Sequence, residues 1–179
     1  MHIFFSAEKL KLVLPGVEYK KSFLKLSKKA VFLREKIPWF VKFGPYDFEG
    51  IVKILNDHSK SLNLKKDEVP STTFFAVFGK CVAGVINIKH RLSEKNKNYG
   101  HIGYYVFAPF RKKGVATKML QLALVEAKNL NLKTLTVCVD KNNFASRHVI
   151  LKNHFRHQDE FYDEIQKTII ERYVIKLDD

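Results

Sequence analysis

The run from Ile102 to Leu130, IGYYVFAPFRKKGVATKMLQLALVEAKNL, forces a strand, a basic glycine-bearing turn and a long helix in immediate succession. Ile102, Tyr104 and Val106 alternate as a strand does, and Pro109, which has no N–H for a ladder, ends it. Val115, Met119, Leu122, Ala123, Ala127 and Leu130 recur at helical spacing. Between strand and helix lies Arg111-Lys112-Lys113-Gly114-Val115-Ala116. A helix that opens straight out of such a turn leaves its first N–H groups without intrahelical partners. They aim at whatever occupies the turn, and the helix dipole favours an anion there. Gly114 and the small Ala116 let a ligand come close to the backbone. The stretch therefore predicts a site for a phosphorylated ligand.

The rest of the chain supplies the elements around it. Leu10–Leu14 reads as a short strand stopped by Pro15-Gly16, and Tyr19, Phe23, Leu24, Leu26 and Ala30 mark a helix with a lysine face. Ile37–Pro45 is turn-rich and aromatic, and a second helix starts at Phe48. After a polar loop, Lys60–Pro70, the strands Thr72–Phe78 and Cys81–His90 flank Gly79-Lys80, a favoured two-residue hairpin turn. A second polar loop, Leu92–Asn98, leads to the Ile102 strand. Downstream come a strand at Lys133–Val139, a turn and helix N-cap at Asp140–Asn143, a short helix at Phe144–Lys152 and a closing strand at Thr168–Leu177. A further short strand fits near Phe155. This order predicts an α/β (α+β) mixed sheet with helices on both faces. The chain has 179 residues, no repeat and no internal linker, so a single domain over 1–179 is expected.

Charge and cysteine content narrow the function classes. The net charge is +14, but the lysines are spread along the whole chain, as on a solvated face, so charge alone does not favour nucleic acid over an anionic cofactor or acidic substrate. Cys81 and Cys138 sit in strand-like runs with no ligand or disulfide spacing and read as free thiols. No apolar run approaches the ~20 residues of a membrane span. The start, Met1 to Phe5, is too short for a leader's apolar region. A cytoplasmic protein without a membrane partner is expected.

Two motifs then carry a resemblance. Arg111-Lys112-Lys113-Gly114-Val115-Ala116 resembles the arginine/glutamine-x-x-glycine-x-glycine/alanine signature of the GNAT superfamily of N-acetyltransferases, and Val106-Phe107-Ala108-Pro109 resembles the strand end before it. Asp140-Lys141-Asn142-Asn143-Phe144-Ala145-Ser146 resembles the second motif of that family, and Lys152–Phe155 stands where it has lysine-x-glycine-phenylalanine. Lys89-His90-Arg91, His101-Ile102-Gly103-Tyr104 and Asp140–Arg147 further resemble a bacterial group of predicted acetyltransferases. The resemblance covers roughly the last 110 residues well and the first 65 by element order alone. It implies a mostly antiparallel central sheet splayed between its fourth and fifth strands, with acetyl-CoA in the splay and no metal. The CoA pyrophosphate would lie on Arg111, Lys112, Lys113, Gly114, Val115, Ala116 and Thr117. An N–H of Val106 or Phe107 would polarise the thioester carbonyl. Asn142 or Asn143, with Ala145 and Ser146 in the same motif, would hold the pantetheine arm, and either asparagine also suits plain helix capping.

The implied reaction is direct attack of an amine on the thioester, which needs a base for the ammonium and an acid for the leaving thiolate. In many family members a glutamate stands on the fourth strand; here its place is held by His101, which titrates near neutrality and is the candidate base. The alternative is a structural histidine at a strand start. His90 is a second candidate. The usual acid, a tyrosine seven residues after the motif asparagine, falls on Ile150, which cannot donate. Tyr162, placed in a tail loop, is the candidate acid, with Tyr104, Tyr105 or water as alternatives. The expected acceptor is a small-molecule or peptide amine, and a homodimer is left open. The competing reading is a non-catalytic acyl-CoA-binding or regulatory module on the same fold, motivated by the missing tyrosine.

Overall fold

The computed structural model describes residues 6–177. Met1 to Phe5, read above for a leader, lie outside the described residues. In chain order the elements are β1 (Lys11–Val13), α1 (Lys20–Phe32), α2 (Trp39–Phe43), α3 (Phe48–Ser59), β2 (Ser71–Phe78), β3 (Cys81–Lys89), β4 (Ile102–Val106), α4 (Val115–Asn129), β5 (Thr134–Asp140), α5 (Phe144–Lys152), β6 (Arg156–Asp163) and β7 (Thr168–Lys176), with short 3-10 turns between. The strands form two antiparallel sheets, β1-β2-β3-β4 and β5-β7-β6.

The two sheets touch at one end. Gly100 bridges to Val137, and the His101 N–H donates to the Thr136 carbonyl at 2.7 Å. Gly100 holds φ +68°, and a Cβ there would lie 2.6 Å from the Thr136 carbonyl oxygen, so the junction needs glycine on both counts. Beyond it β4 and β5 no longer pair. The mixed α/β fold and the helices on both faces are as the element order predicts, and the splay between the fourth and fifth strands is as the resemblance implies.

Packing explains the layers. Phe75, Val85 and Tyr105 are opposite one another across β2, β3 and β4 and so share a face. On that face Phe23 of α1 stacks on Phe75 with centroids 5.2 Å apart and meets Phe107 edge-on at 6.1 Å. On the other face Ala76, Gly84 and Val106 align, and Met119 of α4 sits over Gly84, where a Cβ would lie 2.9 Å from its sulfur. β2 and β3 are buried on both faces, which is why they read as near-continuous apolar runs.

Two elements differ from the sequence reading. α2 lies inside the segment read as turns, because five residues behind Pro38 are too few to show a helical period. β6 is eight residues long, not a short strand, and Tyr162 lies on it rather than in a loop. Its sequence RHQDEFYD lies on an outer strand, and the positions that turn inward, Asp159, Phe161 and Asp163, include two acids, so no apolar alternation shows in the sequence. Cys81 and Cys138 are free thiols. Among the described residues no helix is long and apolar enough to cross a membrane.

Candidate functional site

The basic turn is built as an anion cradle. Lys112 (φ 59°) and Gly114 (φ 74°) are left-handed, and Gly114 is the N-cap of α4 without any side-chain cap. The first helical bond runs from Lys118 N–H to the Gly114 carbonyl at 3.0 Å. The N–H groups of Val115, Ala116 and Thr117 therefore have no intrahelical acceptor. Arg111, Lys112, Lys113 and Gly114 are exposed, and Lys113 Nζ donates to the Pro109 carbonyl at 2.8 Å.

Arg111 does not project over the turn. Its Nε donates to the Val106 carbonyl at 2.9 Å, its guanidinium pairs with Glu35, and it lies 5.4 Å above the Tyr105 ring. Glu35 also accepts the Tyr105 hydroxyl at 2.6 Å. Burial alone would raise the Glu35 carboxyl; Tyr105 and Arg111 outweigh it and hold it below the usual carboxylate range. Burial, and then Glu35, push the Tyr105 hydroxyl well up. Arg111 is thus a strut tying the turn to the end of β4 and to the connection after α1. Sequence reading missed Glu35, since nothing local marks a partner so distant along the chain.

The edge of β4 decides between Val106 and Phe107. The Phe107 N–H donates to the Ala83 carbonyl at 3.0 Å, so it belongs to the β3 ladder and is withdrawn from the splay. Strand alternation turns the N–H groups of Tyr104 and Val106 the other way. Arg111 reaching the Val106 carbonyl from that side agrees. Val106 presents its N–H to the splay; Phe107 is core.

Across the splay, α5 is capped by Asn143, whose Oδ1 accepts from the Ser146 N–H at 3.1 Å. Asn142 donates its backbone N–H to Asp140 Oδ1 at 2.8 Å and leaves its side chain exposed, as is Ala145. Tyr104 spans the gap from β4 to α5, its hydroxyl 2.6 Å from Ser146 Oγ, and burial pushes its pKa up. Ile150 is fully buried one turn further on.

His101 sits at the sheet junction, where its Nδ1 accepts the Thr136 N–H at 3.0 Å. An amide N–H can only donate, so the neutral ring carries its proton on Nε2 and keeps no free lone pair. Burial, then the neighbouring Lys89, hold its pKa below 6.5. His90 is tied to Thr72 Oγ1 at 2.8 Å and is likewise lowered by burial. Tyr162 is not brought to the splay. It is 54% exposed on β6, with β7 and β5 intervening.

A cleft of about 870 Å³ opens on the α1 face. Thr73, Asn87, Lys89 and Gly103 form its floor, and Trp39, Phe40, Ile54 and Leu55 its apolar wall. It reaches β4 at Gly103 and Tyr104, and nothing lies within 4 Å of where a Gly103 Cβ would be. The arrangement offers an anion cradle, a backbone donor in a splayed strand edge, a half-buried hydroxyl at that edge and a separate cleft meeting the same strand. On the far side His157, Glu160 and Glu171 converge within 4.8 Å. There Arg147 pairs with Glu171 at 2.6 Å and Lys141 with Glu160 at 2.8 Å, which neutralises the charge a metal would need.

The chain was compared with known proteins. The model of the Acetyltransferase (GNAT) family matches residues 39–155. No curated protein matches the sequence. Among solved structures, RimJ of Mycobacterium smegmatis in complex with CoA-disulfide is 15% identical over 93% of this chain and 81% of that one, with TM-score 0.72. The Salmonella typhimurium acetyl transferase that modifies the N-terminal serine of ribosomal protein L7/L12 is 15% identical over 94% and 95%, with TM-score 0.68. The microcin C7 self-immunity acetyltransferase MccE, in complex with acetyl-CoA and AMP, is 17% identical over 93% and 92%, with TM-score 0.67. At these identities the similarity is one of fold.

Proposed function

The chain belongs to the GNAT family of acetyltransferases, and on that premise we propose that the whole chain acts as one domain, in the cytoplasm, transferring the acetyl group of acetyl-CoA to a primary amine by direct attack. The observation that carries this reading is the alignment of the uncapped α4 terminus, the open edge of β4 and the 870 Å³ cleft on one strand. The donor fits the residues present. The free N–H groups of Val115, Ala116 and Thr117 suit a pyrophosphate, with Lys112 and Lys113 adding charge. The splay beside Val106 suits a pantetheine arm, with Asn142 exposed at its mouth.

The mechanism then assigns roles. The Val106 N–H donates to the thioester oxygen as negative charge builds there, a contribution of about 3 kcal/mol for one such donor. The amine enters from the cleft past Gly103, loses its proton to water and attacks the carbonyl carbon. As the C–N bond forms and the C–S bond breaks, the nitrogen gives its second proton to water, the Tyr104 hydroxyl protonates the departing sulfur, and solvent returns the proton to Tyr104. Tyr104 suits this role because its hydroxyl meets α5 at Ser146, the face on which the usual tyrosine position, Ile150, is filled by an apolar side chain. His101 holds the junction of the sheets and is not given the base role, since its ring lone pair is engaged. The bound CoA of RimJ and the acetyl-CoA of MccE support the donor, and the N-terminal serine modified by the Salmonella enzyme supports the acceptor class.

Incubating the protein with acetyl-CoA and a panel of amines, with thiol release and mass detection of the product, tests the reading. Release matched by acetylated amine is expected. Tight CoA binding without product on any amine would favour the non-catalytic module.

A further inference from the structure

The floor of the cleft holds an ammonium without a carboxylate. Lys89 is half-buried on that floor, and its Nζ donates to the Gly100 carbonyl at 2.9 Å. The acids of the cleft are engaged elsewhere: Asp67 with Lys95 at 2.5 Å, and Glu68 with the Lys65 N–H at 2.8 Å and near His58. Among the described residues no carboxylate bonds Lys89, and burial depresses its pKa. Partial desolvation with only a carbonyl partner disfavours the charged form, and an anion supplied by a ligand would offset that cost. Beside it Asn87 Nδ2 donates to Thr73 Oγ1 at 2.9 Å, and both residues line the same floor.

We propose that Lys89 is the counter-ion for a carboxylate on the acceptor: the cleft takes an amine that also carries a carboxylate, with its apolar body against Phe40 and Leu55. This rests on the acetyl-transfer reading for the identity of the amine, but not for the anion site itself. Such an acceptor has two sources, a free amino acid or a peptide whose second residue is acidic. The ammonium also disfavours a second positive charge nearby, so it favours the neutral, attacking form of the amine.

Matched pairs of acceptors test it. One arm compares phenylalanine with phenylalaninamide, the other a C-terminally amidated tripeptide with Glu or Gln at its second position. In the arm that carries the true source, the carboxylate member should show kcat/KM about tenfold or more above its neutral twin. Lys89→Met should bring both members of the pair to the same value. Thermal shift with the same pairs reads the site without turnover: only the carboxylate member should raise the Tm of the wild type, and Lys89→Met should lose that rise. The unliganded variant should melt no lower than the wild type, because a half-buried ammonium without a carboxylate partner has been removed. Equal behaviour of both members in both arms would overturn the proposal, as would a Lys89→Met loss of turnover that ignores the acceptor's charge, the mark of a general base. Absent thiol release with the thermal preference intact would sink the transfer reading and leave the anion site standing.

Discussion

The two residues that most alter the chemistry are Tyr104 and His101. Tyr104 is legible in the sequence only as a strand residue. Its role comes from the 2.6 Å approach to Ser146 across the splay, a meeting of residues 42 apart that periodicity does not encode. Tyr104→Phe should lower kcat by about tenfold to a hundredfold with little change in the Kd for acetyl-CoA; steady-state kinetics beside a CoA titration decides it. His101 was visible as a histidine at the right place on the right strand. What the sequence could not show was the Thr136 N–H on its Nδ1. His101→Ala strands that N–H and should cost about 1–3 kcal/mol of stability. His101→Asn restores an acceptor and should recover most of the stability and the turnover. An inactive but fully stable His101→Asn would return the base role to the histidine.

At the level of elements, turns and apolar runs are legible in the sequence. The β2–β3 hairpin, α4 and α5 were delimited to within a residue or so, because each combines a strong period with a turn or cap signal: Gly79-Lys80, Gly114, Asn143. α2 and β6 are poorly legible for different reasons, one too short to show a period and the other carrying acids at its inward positions. The basic turn was read correctly as a loop before a helix, yet the direction of Arg111 depended on Glu35, a long-range partner. The contact that matters most is the bridge from Gly100, just before β4, to Val137 of β5. Gly100→Ala would add a Cβ at 2.6 Å from the Thr136 carbonyl in a left-handed conformation, and should destabilise by about 1–3 kcal/mol while widening the closed end of the splay. Urea unfolding measures the first effect; a weaker CoA affinity would report the second.

For the molecule as a whole, the excess of positive charge is spread along the chain, and the chemistry lies where backbone geometry is open. Stability against pH follows from the buried groups. His90 and His101 both have folded pKa values below 6.5, so the fold prefers their neutral forms. The unfolded chain takes up their protons first as pH falls, so their contribution is complete above about pH 6.5 and declines below it. Glu35, held below 4.5, adds its own loss only at more acid pH. Tm should therefore fall from about pH 6.5 downward, and His90→Asn with His101→Asn should flatten the first part of that limb. The central claim is that the splay between β4 and β5 is the seat of the acetyl donor, and amide NMR during a titration with acetyl-CoA reads it directly. The largest shifts should fall on the N–H groups of Tyr104, Val106, Val115, Ala116 and Thr117, with Phe107, locked to Ala83, and Tyr162, on the outer strand, moving little. Shifts centred on β6 and β7, with the Val106 and α4 amides unmoved, would contradict it.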